Sequence, residues 1–153
     1  MKTYVVLRLV HGSWLYGLAT PQSDHDYYEI YDFRNQRYRP KRQANQRIEG
    51  DVDEMRISLE RFESLCFKGV PQAVEVLFSP PEAWVYVHGS WHDLANGIIQ
   101  ELPKYMTTIL DTYRRTALNF FKGDEKRRRH AFRLLVNARE LKLSGAMHSR
   151  LSV

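Results

Sequence analysis

At 153 residues the chain has the length of one compact domain with a single core, and 43% hydrophobic with 27% charged residues exclude a fibrous or wholly disordered polymer. Lys and Arg outnumber Asp and Glu by 23 to 18, a net charge of +5, with the excess gathered in Arg34, Arg37, Arg39, Lys41, Arg42 and Arg47 and in the run Lys126 to Arg129. Such runs suit polyphosphates and nucleic acid by steering and counterion release, or are simply a solvated loop and helix end.

Residues 3–10, rich in β-branched and aliphatic side chains, read as a buried strand that Gly12 ends. No apolar run approaches the ~18 residues that cross a bilayer, and no small-residue cleavage site follows Met1, so a cytoplasmic protein without a membrane partner is expected. Residues 14–23 contain Gly17, Pro21 and Ser23 and form no single regular element, although a helical turn fits Ser13 to Tyr16. Asp26 to Phe33 is dense in aromatics and reads as a second strand. The basic segment 34–47, with Pro40 and no apolar periodicity, reads as an exposed connection.

A third strand is expected over Asp51 to Ile57, with Ser58 capping a helix that carries Leu59, Phe62, Leu65 and Cys66 on one face and stops at Gly69. Cys66, the one cysteine, fits a small buried hydrophobe and not a reactive thiol. Pro71 opens a short helix bearing Ala73, Val74, Leu77 and Phe78, which Pro80-Pro81 ends. Further helices are expected over 91–102, over 104–121 with a stripe of Met106, Ile109, Leu110, Tyr113, Ala117 and Phe120, and over 125–143 with Phe132, Leu135, Ala138 and Leu141 toward the core. After Gly145 the tail should fray. The layout is α+β within one domain, 1–153, with a sheet half at 1–80 and a helical half at 90–145.

Nucleotidyl transfer needs a holder for the triphosphate and carboxylates that fix divalent metals beside the reacting phosphorus. Gly12 lets the backbone approach a phosphate, and Ser13 adds a hydroxyl donor beside backbone N–H groups. Asp24 and Asp26 follow; on an extended strand they share a face while His25 points away, an arrangement that repulsion disfavours without cations. Asp51 and Asp53 are candidates for a third acid from a neighbouring strand, with Asp53 preferred.

The stretch His11-Gly-Ser-Trp-Leu-Tyr-Gly-Leu-Ala-Thr-Pro-Gln-Ser-Asp-His-Asp26 resembles the signature of phage and bacterial polymerase β-like nucleotidyltransferases, some associated with RNA repair: Gly-Ser, Tyr-Gly-Leu, Thr-Pro, then Ser-Asp-x-Asp. Asp53 to Phe62 resembles that family's third-acid strand and helix, Lys68 to Phe78 its Gly-Asn-Pro turn, and Arg129-His-Ala-Phe-Arg-Leu-Leu135 with Glu140-Leu141 its His-Ala-x-Arg-Leu helix. Val70 departs from the family's Asn, and Tyr27-Tyr28-Glu29 replaces small residues after the acid pair.

The resemblance implies a nucleotidyltransferase-like mixed sheet with a C-terminal helical half. It implies Asp24, Asp26 and Asp53 as catalytic ligands of Mg²⁺ or Mn²⁺, Gly12 and Ser13 on the nucleotide phosphates, and a nucleoside triphosphate as substrate. The acceptor would be a hydroxyl on RNA (a tRNA or an RNA end) or on a protein.

Each site residue also has a plainer reading. An isolated Asp-x-Asp is usually an acidic strand cap; the upstream Gly-Ser and Thr-Pro-x-Ser argue against that here. His130, Arg133, Asn137 and Glu140 form one helical stripe that either meets a nucleotide or joins helices in a polar network. Tyr16 and Trp14 either stack on a base or pack in the core. His88 and His92 have the spacing of a metal pair but no acidic or Cys partner, and His88-Gly-Ser-Trp91 repeats the opening letters of the motif with no Asp-x-Asp after it. Two other functions fit the same features: a catalytically silent antitoxin-like protein, or an RNA-binding module.

Overall fold

The computed structural model describes residues 4–12, 25–32, 44–50 and 52–148. Among them, strands β1 (Tyr4–His11), β2 (His25–Asp32), β3 (Ala44–Glu49), β4 (Val52–Ser58) and β5 (Trp84–Val87) make one sheet in the order β3-β4-β2-β1-β5. The pair β2/β4 is parallel and the other three are antiparallel, so the sheet is mixed. Helices α1 (Leu59–Lys68), α2 (Pro71–Leu77), α3 (Trp91–Glu101), α4 (Met106–Phe121) and α5 (Glu125–Ser144) complete an α+β fold whose C-terminal half is helical. None of these helices is long and apolar enough to cross a membrane.

The chain divides into two compact units, residues 1–63 with 80–96 and residues 64–79 with 97–153. In the sheet unit, pleating sorts the strands into two faces. Leu7, Leu9, Tyr28, Ile30 and Ile57 are buried on one face. Phe62 of α1 meets the Tyr28 ring edge-on at 6.2 Å, and Trp91 of α3 lies 6.1 Å from Phe62. Ser58 caps α1 by accepting from the Arg61 N–H at 3.1 Å.

On the opposite face polar side chains tie the strands together. Arg8 donates to Glu29 at 2.9 Å and to Glu54 at 3.0 Å, and Arg56 donates to Glu29 at 3.0 Å. Arg8 lies 4.6 Å over the Tyr27 ring and Arg56 lies 5.6 Å over Tyr31. A sheet with one apolar face and one cross-linked polar face needs helices on the first alone.

Two strands depart from the sequence expectation. Residues 44–47, read as part of an exposed connection, belong to β3, which pairs antiparallel with β4 through a turn at Gly50 with φ +61°. Gln46, Ile48 and Glu49 are exposed, so the ladder of β4 and not burial makes this segment a strand, and composition carries no trace of it. Strand β5 is four residues long and pairs with β1 at a sheet edge, with Val85, Tyr86 and Val87 largely exposed.

In the helical unit, Pro71 starts α2, and Ile109, Tyr113 and Ala117 form the buried stripe of α4. Helix α5 is capped at its start by Asp124, whose side chain accepts from the Arg127 N–H at 3.0 Å, and it ends at Gly145. Its buried side corrects the expectation of Phe132 and Leu135 toward the core. Phe132 is 61% and Leu135 39% exposed, while Ala131, Arg133, Leu134, Asn137 and Leu141 are buried. On the inward stripe the polar Arg133 meets Glu75 of α2, itself fully buried, so its charge is compensated there. Cys66 is buried, as its apolar neighbours suggested.

Candidate active site

Three chemically active residues stand in one row across the sheet. His11 of β1 is the register partner of Asp26 of β2, and Asp26 is the partner of Asp53 of β4. Facing residues on adjacent strands share a face at a spacing of about 4.8 Å. The row occupies the same face as Leu9, Tyr28 and Met55, at the end of the sheet where β1 finishes and β2 and β4 begin. Asp26 and Asp53 are partly exposed and His11 is buried, its ring 5.3 Å from that of Tyr28. Two carboxylates are therefore brought together at the rim of an apolar face, where a cation relieves their repulsion.

Gly12 closes one side of the row. Its φ is +66°, and a Cβ placed there would lie 2.0 Å from Asp26 Oδ2. Only a residue without a side chain permits the backbone to turn and the Asp26 carboxylate to occupy this space. The second His-Gly-Ser-Trp, at 88–91, has no such requirement: nothing lies within 4 Å of a Cβ at Gly89, and His88 Nδ1 instead meets Ser90 Oγ at 2.8 Å just before α3. The same glycine letter thus stands against a carboxylate in one place and in open space just before a helix in the other.

Asp53 has a partner that the sequence did not point to. Gln46 Nε2 of β3 donates to both carboxylate oxygens, at 3.0 and 3.1 Å. The residue opposite Asp53 is Ile48, and Gln46 is opposite Met55, so the amide reaches Asp53 diagonally on the same face. Without β3 in view, Gln46 was one more polar residue in a basic stretch. His11 was equally hidden, although the alternation of Leu7, Leu9 and His11 places it on the acid face.

Of the other predicted site residues, Asp24, Ser13 and Tyr16, together with Asp51, lie outside the described residues. Among those described, no three His, Cys, Asp or Glu side chains are grouped to hold a metal ion. The described part of the site holds two hard carboxylates, a donor set of the kind Mg²⁺ and Mn²⁺ take.

His130 and Arg133 belong to the helical unit. The Arg133 guanidinium donates to Glu75 and is 4% exposed, the polar network between helices that was the plainer reading of this stripe. His130 is half-buried, 6.1 Å from Phe120, and burial, reinforced by Arg133 and Lys126, holds its pKa below the ordinary imidazole value.

A sequence model of the RNA repair pathway DNA polymerase beta family, RlaP, matches residues 2–150. The chain belongs to this family. It is also 29% identical over 124 residues to an uncharacterised 38.9 kDa protein of Enterobacteria phage T4, from the nrdC-mobD intergenic region. That alignment takes in 74% of the chain but only 36% of the phage protein. Family membership suggests nucleotidyltransferase-like chemistry in RNA repair, and the mixed α+β fold agrees with a polymerase β-like family.

Proposed function

We propose that the chain is a metal-dependent nucleotidyltransferase that moves an NMP group from a nucleoside triphosphate to a hydroxyl on RNA or protein. The observation that carries this reading is the register pairing of Asp26 with Asp53 beside a glycine that no other residue can replace. Asp26 and Asp53 would hold Mg²⁺ or Mn²⁺, with Asp24 as third ligand, and the cations would supply charge neutralisation of the triphosphate and polarisation of its α-phosphorus.

The chain's own part is to position and to move one proton. Gly12 and Ser13 would hold the phosphates through backbone and hydroxyl donors. Asp53 would accept the proton of the acceptor hydroxyl as its oxygen bonds to the α-phosphorus. The bond to the bridging oxygen breaks, and pyrophosphate leaves with the electron pair. The exposed run Lys126 to Arg129 at the start of α5 favours RNA as the acceptor, through contacts with its backbone.

Transfer of α-labelled nucleotide to RNA with a free 3′ hydroxyl, in Mg²⁺ or Mn²⁺, tests the proposal. Label should appear on the RNA, pyrophosphate should be released, and Asp26→Asn or Asp53→Asn should lower the rate by about 10²-fold or more. Salt-sensitive RNA binding that ignores metal and nucleotide, with no transfer, would instead support the RNA-binding module.

A further inference from the structure

The amide nitrogen of Gln46 straddles the two oxygens of Asp53, 3.0 Å from one and 3.1 Å from the other. That near-equidistant point is where a cation chelated by both oxygens of the carboxylate would sit. An N–H donor there presents partial positive charge to the anion, as a metal does. Neither group can occupy the position while the other does.

We propose that Gln46 is a positioning residue that competes with free divalent cations for Asp53, so that the site loads its metal together with the triphosphate and not before it. The inference rests on the nucleotidyltransferase reading of Asp26 and Asp53. Mg²⁺ is commonly held by one or two carboxylates together with substrate phosphates. With one bond from Asp53 kept by Gln46, the protein alone offers a cation a weak site, and the phosphates complete it. Gln46 reaches Asp53 from β3, one strand removed and diagonally placed, so its removal leaves the β2/β4 pairing untouched. Its side chain is exposed.

Calorimetric titration of the full chain with Mn²⁺, in the absence of nucleotide, tests this directly. Gln46→Ala should bind Mn²⁺ about three- to tenfold more tightly than the wild type, the gain from removing one exposed hydrogen bond of ordinary net strength. Gln46→Met, close in shape but without a donor, should do the same and guards against a folding defect in the first variant. In an Asp53→Asn background, Gln46→Ala should change nothing, because the amide acts only through Asp53.

Affinity unchanged or weakened in both Gln46 variants, with Asp53→Asn still reducing Mn²⁺ binding, would overturn the competition and leave the acid pair standing. Gln46→Ala binding Mn²⁺ no more tightly than the same variant carrying Asp53→Asn would remove the acid-pair reading and this inference with it.

Discussion

Asp26 faces Asp53 across the parallel β2/β4 pair, one strand spacing apart and on the same side of the sheet. Like charges placed directly opposite weaken a sheet by roughly 0.2–1 kcal/mol, so this pairing opposes folding in the absence of cations. Asp53→Asn relieves that repulsion but weakens the bond from Gln46, so in chelator it should melt within a few degrees of the wild type, while losing transfer activity. A thermal melt with and without chelator checks this; a clear drop in Tm for the variant would mean that Asp53 serves the fold and not a site.

Gly12 and Gly50 both have positive φ, at 66° and 61°, yet their surroundings differ. A Cβ at Gly50 meets nothing within 4 Å, whereas at Gly12 it would collide with the Asp26 carboxylate. Gly50→Ala should cost only the left-handed strain, about 1 kcal/mol. Gly12→Ala carries the same strain plus displacement of Asp26, so it should be the more destabilising and should also abolish transfer. Equal denaturation midpoints and equal activity for the two variants would contradict the close packing of Gly12 on Asp26.

Glu75 and Arg133 form an ion pair with 0% and 5% side-chain exposure. Removing one partner strands a buried charge, at a cost of about 3–5 kcal/mol. Glu75→Gln and Arg133→Met should each destabilise on that scale, and Glu75→Leu with Arg133→Met should recover much of the loss. Urea unfolding of the singles and the double measures the coupling; additive losses would show that the pair is not a unit.

Burial, with Arg133 and Lys126 nearby, lowers the pKa of His130 in the folded state from 6.5. Below that value the unfolded chain takes up the proton more readily than the folded one, so His130 makes stability fall as pH drops from about 7 through the folded-state pKa. His130→Gln should lose less stability than the wild type between pH 7 and pH 5. Parallel pH profiles of unfolding for the two proteins would contradict a buried, disfavoured imidazolium.

Much of the layout was legible because it rests on local rules. Ser58 caps, Pro71 starts and Gly145 ends their helices by short-range hydrogen bonding and backbone freedom, and Gly12 and Asp26 stand in one contiguous motif. What stayed hidden depends on partners distant in sequence. Strand β3 exists because β4 offers it a ladder, and Gln46 acquires a role only once that ladder sets it diagonal to Asp53. The pairing of Arg133 with Glu75 of α2, and the exposure of Phe132 and Leu135 that goes with it, likewise depend on a partner far away in sequence.

The central claim, that Asp26 and Asp53 jointly hold a divalent cation beside Gly12, is tested most directly by paramagnetic broadening of backbone amide signals with substoichiometric Mn²⁺ and a nucleoside triphosphate. The signals of Gly12, Asp26 and Asp53 should vanish first while that of Gly145 persists, and Asp26→Asn with Asp53→Asn should restore them. Broadening centred elsewhere, or unchanged in the double variant, would contradict the account.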